Sequence, residues 1–318
     1  MHERYSRQVL LQEIGAEGQL LLQRKKVAIV GIGALGTVSS ELLARAGVGS
    51  LLLVDRDVIE ESNLQRQVLF DEDDLGKSKA AAAREKLEKI NQHILIETKA
   101  IHLNNKNIGF LKEMDLVLDC TDNLETRFLI NEFCKKEQIP WIYAAAIRTS
   151  GYVMPIMPAG ACLRCFLDTA NLETCDTVGV LNTATVSIAA LQTTLALKML
   201  LHKEVEPVLY HYDLWDGLFR KIKINKKSNC PACTGKYEHL ENIQNQTIRF
   251  CSAGKFQVSG TKIDWERIKK DWQRISDVVD DGVTLRFKNI MLFKDGRALI
   301  DAKSVEEAEA VYSRMVGN

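Results

Sequence analysis

Apolar runs of strand length alternate with helical patterns along most of the chain. The run at residues 27–30 has the character of a buried strand, and residues 35–46 place apolar side chains three and four positions apart, as a helix does. The run at residues 51–54 is a second strand. The same criteria predict strands at residues 94–99, 116–119, 140–147 and 151–157 and helices at residues 77–91, 124–137 and 180–202. This order predicts a Rossmann-like α/β fold, a mixed sheet with helices on both faces.

The pattern changes near residue 235. Before that point, residues 208–213 and 219–224 predict two strands of a hairpin. Beyond it, the alternation of buried strands and crossover helices ends. We therefore expect two domains, residues 1–235 and residues 236–318, of which the second is a small C-terminal α/β unit of unknown role.

The second domain has its own secondary-structure signals. A charged helix is predicted near residues 265–275, and two strands are predicted around the turn Asp295-Gly296. Ser304, with Glu307 three positions later, forms a capping box that predicts the start of the last helix. The chain has no internal repeats and no low-complexity segments.

The composition is that of an ordinary folded protein. In 318 residues the 42 basic and 42 acidic side chains cancel, so no bulk charge favours nucleic acid or an anionic membrane as a partner. The first residues are charged and lack the apolar core of a secretory signal, which indicates a cytoplasmic protein. The longest apolar stretch, residues 178–201, is interrupted by Asn, Thr, Ser and Gln side chains. We expect a buried helix there and no membrane span.

A glycine-rich turn joins the first predicted strand to the first helix. Gly31, Gly33 and Gly36 have the GxGxxG spacing, which brings backbone close to phosphate oxygens at a helix N-terminus. Asp55 ends the second strand, where an acid meets ribose hydroxyls in dinucleotide-binding folds. Together they predict a nucleotide site. By themselves they also fit an NAD-dependent oxidoreductase, and a tight turn without a ligand produces the same glycine spacing.

Polar side chains after Asp55 favour a triphosphate over a nicotinamide cofactor. Asn63, Arg66, Gln67 and Lys79 follow in order. A bound triphosphate needs donors and cations at fixed positions, and arginine offers a rigid fork of donors while lysine offers a compact charge. A nicotinamide enzyme does not require these residues. The alternative for each of them is a solvated surface.

A second polar segment, Thr121-Asp122-Asn123, follows a buried strand, at the edge where open α/β sheets bind ligands. Two interpretations of Asp122 remain open. Its carboxylate caps the following helix, with Glu125 completing a capping box, or it holds Mg²⁺ beside the phosphates.

Six motifs together resemble those of the ThiF/MoeB/HesA family, bacterial relatives of the ubiquitin-activating enzymes. The motifs are Arg4-Tyr5-Ser6-Arg7-Gln8, the glycine turn, Ser62-Asn63-Leu64-Gln65-Arg66-Gln67, Gly76-Lys77-Ser78-Lys79, Leu118-Asp119-Cys120-Thr121-Asp122-Asn123 and Ala144-Ala145-Ala146-Ile147-Arg148. The resemblance covers residues 1–233. It implies an ATP-dependent adenylyltransferase that adenylates the C-terminal glycine carboxylate of a ubiquitin-like sulfur carrier protein of the ThiS or MoaD type. The implied reaction releases pyrophosphate, and the implied pathway is thiamine or molybdopterin biosynthesis.

The resemblance also implies roles for individual residues. The backbone of Gly33 and Ala34 and the Asp55 carboxylate are implied to hold ATP. The implied residues around the phosphates are Ser62, Asn63, Arg66, Lys79, Asp122 and Asn123. Arg66, Lys79 and Asp122 are implied to be catalytic, the last through Mg²⁺. Arg7 is implied to reach into the partner subunit's site, which implies a homodimer. Family members often have glycine where this chain has Ala34, and a negative φ accommodates the methyl group.

Two CxxC pairs predict a metal site. The pairs are Cys162-Leu163-Arg164-Cys165 and Cys230-Pro231-Ala232-Cys233. Four cysteines in two such pairs are typical of a tetrahedral structural zinc, a zinc knuckle, whereas a single pair also fits a redox motif.

The other cysteines have different interpretations. Cys175 resembles the conjugating or sulfur-handling cysteine of the family, which attacks the adenylate in some members. In others a separate sulfur donor, such as a cysteine desulfurase, intercepts the adenylate, and Cys175 would then be a bystander. Cys120 and Cys134 are expected in the core. Cys251 has no assignment.

Alternatives to this function remain on the sequence alone. A family member with a different acceptor, tRNA or a peptide, would share these motifs. A scaffold that binds ATP without catalysis and an oxidoreductase are two further classes. The C-terminal unit has no rhodanese-like cysteine loop, and residues 287–315 resemble a short tail found on some Gram-positive members of the family.

Overall fold

A computed structural model describes residues 3–167, 179–241, 248–249, 255–258, 260 and 263–317. The chain divides into two compact units, Met1–Asn242 and Ile243–Asn318. The domain assignment made from the sequence, with its boundary at residue 235, stays a prediction.

An eight-stranded sheet forms the centre of the first unit. Its strands are β1 (Lys26–Val30), β2 (Ser50–Val54), β3 (Leu95–Lys99), β4 (Leu116–Asp119), β5 (Trp141–Ile147), β6 (Ser150–Ile156), β7 (Val208–Asp213) and β8 (Leu218–Lys223). The order across the sheet is β3-β2-β1-β4-β5-β6-β7-β8. The first five of these strands are parallel, and β6, β7 and β8 are antiparallel. The chain order reverses at β1, so a ligand crevice is expected beyond the carboxyl ends of β1 and β4.

Helices cover both faces of this sheet. They are α1 (Ser6–Val9), α2 (Gly15–Leu22), α3 (Ala34–Ala46), α4 (Glu61–Leu64), α5 (Lys79–Ile90), α6 (Leu124–Glu137), α7 (Asn182–Leu200) and α8 (Glu238–Glu241). Side chains of β1 alternate between two cores: Val27 and Ile29 pack with α3, α5 and α7, and Ala28 and Val30 pack with α6. The predicted mixed sheet with helices on both faces is therefore confirmed.

The long apolar helix of the sequence is α7. Its length and composition would suffice for a membrane span. In the structure it packs against α3 and against β5 and β6, and Ile188, Leu195 and Ala196 belong to the sheet core. These contacts are those of a buried helix, which is what the sequence predicted from the polar residues that interrupt the apolar stretch.

The second unit is an antiparallel sheet with two helices. Its strands are β9 (Ile248–Arg249), β10 (Lys255–Val258), β11 (Val279–Asp280), β12 (Thr284–Phe287), β13 (Ile290–Phe293) and β14 (Ala298–Asp301), in the order β11-β12-β13-β14-β10-β9. Its helices are α9 (Trp265–Gln273) and α10 (Val305–Met315).

The capping box predicted for the last helix is present in altered form. The Ser304 hydroxyl accepts a hydrogen bond from the Glu307 backbone N–H at 3.2 Å. The Glu307 carboxylate accepts from the backbone N–H of Lys303 at 2.8 Å, one residue before the cap. Trp272 of α9 stacks on Phe287 with ring centroids 5.0 Å apart, which joins this helix to the core of the second unit.

Candidate functional site

The register of the sheet places three loops side by side. Val30 lies opposite both Val54 and Asp119, so the loops that follow β1, β2 and β4 leave the sheet at the same level. Backbone hydrogen bonds continue this alignment, from Gly31 N–H to Val54 O at 2.8 Å and from Cys120 N–H to Val30 O at 2.8 Å. The glycine turn, Asp55 and the Thr121-Asp122-Asn123 segment therefore share one edge of the sheet.

Two glycines of the turn are required by close packing. Gly31 has φ +91°, and a Cβ there would lie 2.6 Å from the carbonyl oxygen of Cys120. A Cβ on Gly36 would lie 1.9 Å from the Gly31 carbonyl oxygen. Ala34 is the first residue of α3 and its φ is not positive, so its methyl group is accommodated as the sequence analysis expected. Gly31 and Gly36 thus shape the turn, and Gly33 forms the N-cap of α3.

The Asp55 carboxylate is held against this turn by backbone donors. One oxygen accepts from the Ile32 N–H at 2.6 Å and the other from the Asp57 N–H at 2.7 Å. Burial raises the pKa of the Asp55 carboxyl, while the Lys79 ammonium and the two backbone donors act in the opposite direction. Asp55 is thereby fixed in orientation where a ribose hydroxyl is expected.

Lys79 is a buried cation beside these carboxylates. It is the first residue of α5, it is 8% exposed, and its Nζ lies 3.8 Å from Asp57 Oδ2. Its backbone N–H donates to the Asp57 carbonyl at 3.0 Å, which ties the start of α5 to the loop after β2. The structure brings Asp55 and Lys79 together, and Asp57 is a neighbour of both that the sequence analysis did not single out.

Among the residues around α4, Asn63 has a structural role, whereas the Arg66 side chain bonds to the backbone of Ser62. The Asn63 side chain is buried and accepts from the Glu60 N–H at 3.1 Å, so its oxygen completes a capping box. Ser62 is exposed, and its carbonyl accepts from Arg66 Nη1 at 2.8 Å, which draws the half-buried guanidinium back along its own helical turn. The oxygen of Asn63 thus has a structural role, and the phosphate contacts of Ser62, Asn63 and Arg66 remain predictions.

The start of α6 excludes one of the two interpretations of Asp122. The Asn123 side chain is the N-cap, because its oxygen accepts from the Thr126 N–H at 2.9 Å. The interpretation in which Asp122 caps the helix together with Glu125 is therefore wrong. Asp122 is exposed at the sheet edge, close enough to Asp119 to contribute to the raised pKa of that carboxyl.

A buried ion pair behind Asp122 was missed by the sequence analysis. Arg127 Nε lies 3.4 Å from Asp119 Oδ2, and its Nη2 donates to the carbonyls of Thr121 at 2.5 Å and Ala144 at 3.3 Å. The other Asp119 oxygen accepts from the Thr121 hydroxyl at 2.7 Å. Burial raises the pKa of Asp119, and the Arg127 charge opposes that shift. The pair fixes the turn that carries Asp122.

Arg7 lies far from this edge within its own chain. Residues close to it in the chain are anchored at the opposite end of the helices: Gln8 Nε2 donates to Ala46 O at 2.9 Å and Arg4 Nη1 to Ile90 O at 3.1 Å. Ala46 ends α3, a helix of 13 residues whose other end is the glycine turn. At 1.5 Å per residue this separates the two ends by about 18 Å. Arg7 is exposed there, and the structure does not bring it to the other predicted residues.

The four predicted metal ligands form one cluster. Cys162 Sγ lies 3.9 Å from Cys165 Sγ, 3.6 Å from Cys230 Sγ and 3.5 Å from Cys233 Sγ. Four sulfurs bound to zinc at about 2.3 Å stand about 3.8 Å apart, so the spacing fits a tetrahedral metal site. It is too long for disulfides, whose sulfurs lie about 2.05 Å apart. The predicted cluster is confirmed, and four protein ligands leave no coordination position open.

Polar side chains of α6 form hydrogen bonds with the backbone of the segments that carry the four cysteines. Asn131 Oδ1 accepts from the Leu163 N–H at 2.9 Å, and Lys135 Nζ donates to the Gly160 carbonyl at 3.1 Å. Glu132 accepts from the backbone N–H of His239 at 2.7 Å, and burial raises its pKa to about 6. Both sides of the cluster are therefore fastened to one helix.

Two of the four remaining cysteines lie in the part of the chain that the structure describes. Cys120 and Cys134 are buried in the two cores, as predicted, and burial raises the pKa of both thiols. Cys175 and Cys251 lie outside the described residues.

Residues 5–232 match the ThiF family. The chain is 35% identical over 336 aligned residues to the Sulfur carrier protein ThiS adenylyltransferase of Bacillus subtilis, a match that covers 100% of both chains. It is 34% identical to the SAMP-activating enzyme E1 of Haloferax volcanii, over 76% of this chain and 92% of that relative. Among solved structures, E. coli MccB with ATP superposes with a TM-score of 0.65 at 25% identity, over 73% of this chain and 75% of that chain.

The glycine turn at the switch point of a mixed sheet, together with the extent of these matches, defines the protein as an adenylyltransferase built on a nucleotide-binding fold. The chain belongs to the ThiF family. The resemblance drawn from the motifs is confirmed, and the oxidoreductase interpretation has no support.

Proposed function

We propose that this chain uses ATP to adenylate the C-terminal glycine carboxylate of a ubiquitin-like sulfur carrier of the ThiS type, releasing pyrophosphate for thiamine biosynthesis. The observation that carries the proposal is the full-length match to the Bacillus subtilis relative, which includes the second unit. The match to the archaeal relative covers only 76% of this chain. A MoaD-type carrier, for molybdopterin biosynthesis, is the second candidate substrate.

The arrangement at the sheet edge supports this chemistry. The N-terminus of α3 offers free backbone N–H groups and the positive end of a helix dipole to a phosphate. Lys79 supplies positive charge near the same edge, and Asp55 is oriented for the ribose. Arg66 is proposed to add positive charge at the phosphates. The carrier carboxylate attacks the α-phosphorus and pyrophosphate leaves, so the protein positions the reactants and stabilises charge without a nucleophile of its own.

Asp122 is the residue proposed to hold Mg²⁺. Its carboxylate is exposed at the edge and is not the cap of α6, so it is available as the hard oxygen ligand that Mg²⁺ prefers. When bound, Mg²⁺ neutralises phosphate charge and makes pyrophosphate a better leaving group. Arg127 and Asp119 keep the Asp122 turn in place.

A homodimer accounts for the position of Arg7. Because the segment around Arg7 is anchored about 18 Å from the glycine turn, the side chain does not serve the site of its own chain. We propose that it enters the site of the partner subunit. The Cys162, Cys165, Cys230 and Cys233 cluster is proposed to hold a structural Zn²⁺.

The later sulfur chemistry is a separate part of the proposal. Cys175 would accept the carrier from the adenylate, or an external donor such as a cysteine desulfurase would supply the sulfur. The enzyme is proposed to work in the cytoplasm, with α7 buried in its core.

ATP–pyrophosphate exchange tests the proposal directly. Purified chain with Mg²⁺ and a ThiS-type carrier is expected to incorporate labelled pyrophosphate into ATP, and a carrier that lacks its last glycine is the matched control. A MoaD-type carrier is assayed in parallel. Exchange with MoaD alone would overturn the carrier assignment, and absence of exchange with every Gly-Gly-ending carrier would overturn carrier adenylation.

A further inference from the structure

The buried ammonium group of Lys79 is held at the sheet edge without the use of its donors. Its Nζ lies 3.8 Å from Asp57 Oδ2, which is an ion pair but is too long for a hydrogen bond. Among the described residues the Nζ donates no hydrogen bond. A buried ammonium needs a compensating charge, and the donors that the protein leaves unused are available to a ligand.

Asp57 supplies this charge, and the backbone fixes its position. Its N–H donates to Asp55 Oδ1 at 2.7 Å, and its carbonyl accepts from the Lys79 N–H at 3.0 Å. The two side-chain oxygens face different cations: Oδ1 lies 3.6 Å from Arg56 Nε, and Oδ2 lies 3.8 Å from Lys79 Nζ. The carboxylate is therefore shared between two cations, and neither contact closes to hydrogen-bond distance.

Arg56 is held in turn by a group from the next loop of the sheet. Its Nη1 lies 3.0 Å from Nδ1 of His102, which follows β3. A row of polar groups thus runs from the loop after β3, through Arg56 and Asp57, to Lys79 at the start of α5. Burial raises the pKa of the Asp55 carboxyl, the Lys79 ammonium opposes that shift and the Asp57 carboxylate adds to it. These three charges therefore act on one another across the edge.

We propose that Asp57 is the positioning residue of Lys79, which keeps the ammonium at the edge and leaves its N–H donors to the phosphates of the nucleotide. The inference rests on the proposed function, which places Lys79 at those phosphates. A carboxylate bonded directly to Lys79 would compete with phosphate for the donors. Without any carboxylate at position 57, the ammonium would pair with Asp55, where the ribose is expected. Arg56 restrains Asp57 between these two extremes.

Nucleotide binding, pyrophosphate exchange and thermal unfolding of full-chain variants test this. Asp57→Asn removes the carboxylate charge and keeps the backbone hydrogen bonds, and Asp57→Glu restores the charge. Asp57→Asn is also made in the Lys79→Met background. Asp115→Asn is the matched control, because Asp115 pairs with Lys25 at 3.4 Å at the amino ends of the strands. The exposed side-chain fractions of that pair, 37% and 14%, are near the 33% and 10% of Asp57 and Lys79.

The expected loss depends on the presence of Lys79. Because a displacement of about 1 Å in a catalytic group costs about a hundredfold in rate, Asp57→Asn lowers pyrophosphate exchange by about tenfold to a hundredfold. It weakens ATP binding by roughly tenfold, the value of one hydrogen bond to a charged group, and leaves adenosine binding unchanged. Asp57→Glu regains most of both losses. In the Lys79→Met background Asp57→Asn has no further effect on ATP affinity, and Asp115→Asn matches wild type.

Other results overturn the inference. A loss of ATP affinity that persists in the Lys79→Met background does so, and if that loss appears only with Mg²⁺, Asp57 is a metal ligand. A fall in unfolding temperature with unchanged ATP affinity and exchange makes Asp57 a structural residue. If the variants show the expected pattern of ATP affinity but the wild-type chain exchanges pyrophosphate with no carrier, the inference stands and carrier adenylation fails. If the wild-type chain exchanges pyrophosphate and Asp57→Asn equals the control, the proposed function stands and the inference fails.

Discussion

The cysteine cluster and the nucleotide edge belong to the same unit, but they differ in how far the protein's own groups complete them. The cluster holds four sulfurs within 3.5–3.9 Å along the measured pairs, and α6 fastens both of its sides. The nucleotide edge is assembled from loops after β1, β2 and β4. It has an exposed carboxylate at Asp122, and the Gln67 Oε1 has no hydrogen-bond partner among the described residues. A site for a resident ion is finished by the protein, whereas a site for a substrate leaves donors and acceptors for the substrate to complete.

Removing one ligand from the finished site should have the largest effect. In small zinc domains metal binding contributes on the order of 10 kcal/mol to folding, so Cys230→Ser is expected to lose zinc and to unfold at a much lower temperature. Metal analysis and thermal unfolding measure this. Cys134→Ala, a buried cysteine outside the cluster, should keep its zinc and lose only about 1 kcal/mol of stability. A metal-free wild-type chain with unchanged unfolding would refute the distinction drawn between the sites.

At the substrate site, by contrast, a substitution should remove activity more than stability. Lys79→Ala is expected to lower pyrophosphate exchange about a thousandfold, because it removes the buried cation that is proposed to lie beside the transferring phosphate. Lys89→Ala, an exposed residue of the same helix, is the control and should retain activity. Equal activity of both variants would show that Lys79 has no part in catalysis.

The Lys79→Ala variant also tests whether a second chain supplies Arg7 to the nucleotide site. Arg7→Ala alone should also be inactive. When Arg7→Ala and Lys79→Ala chains are refolded together, half of the dimers are mixed and each mixed dimer has one intact site, so about a quarter of wild-type activity should return. No recovery, despite mixed dimers detected by mass, would place Arg7 outside the partner's site.

A smaller effect concerns the loop that leads to Lys79. Asp74 is buried and pairs with Lys86 at 2.7 Å and Lys77 at 3.1 Å. Burial opposes ionisation, but the Lys86 and Lys77 contacts and the Asp71 N–H lower the pKa of Asp74 below its usual value. A lowered carboxyl pKa stabilises the fold above the unfolded-state pKa, and the contribution is lost as pH falls through the folded-state pKa.

Asp74→Asn should therefore cost about 1–3 kcal/mol near neutral pH. The difference from wild type should shrink as the pH falls toward and below the ordinary aspartate pKa. Urea unfolding at several pH values measures it, with Asp73→Asn as the exposed control in the same turn. A pH-independent difference would mean that charge is not the source of the stability.

Sequence patterns were sufficient where one local signal decides an element. The predicted bounds of β4 and α6 agree with Leu116–Asp119 and Leu124–Glu137, because an apolar run ends in an acid and a capping residue starts the helix. The strands β12 and β13 were not both recognised. Their hairpin turns at Lys288 and Asn289, and Lys288 has φ 52° without being glycine, so the pair lacks the glycine of the usual two-residue hairpin signal.

Contacts between residues of different elements could not be predicted from the sequence. Asp119 and Arg127 belong to different elements, and only the fold makes them an ion pair. Asp122 and Asn123 are both competent caps, and the choice between them depends on which backbone enters α6 in extended form, which is Asn123 with φ −124° and ψ 143°. Gln67 was visible within its motif, but its unused oxygen is a property of burial.

The 14-residue helix α6 contacts both sites, the nucleotide edge at its first turn and the cysteine cluster at its later turns. Its first turn sets the position of Asp122, and its later turns hold the cysteine cluster through Asn131, Glu132 and Lys135. If the cluster holds zinc, as proposed, a chain without its metal loses the anchor of the helix that presents Asp122. Under that proposal, metal loading is a maturation step, and a chain without metal would not consume ATP.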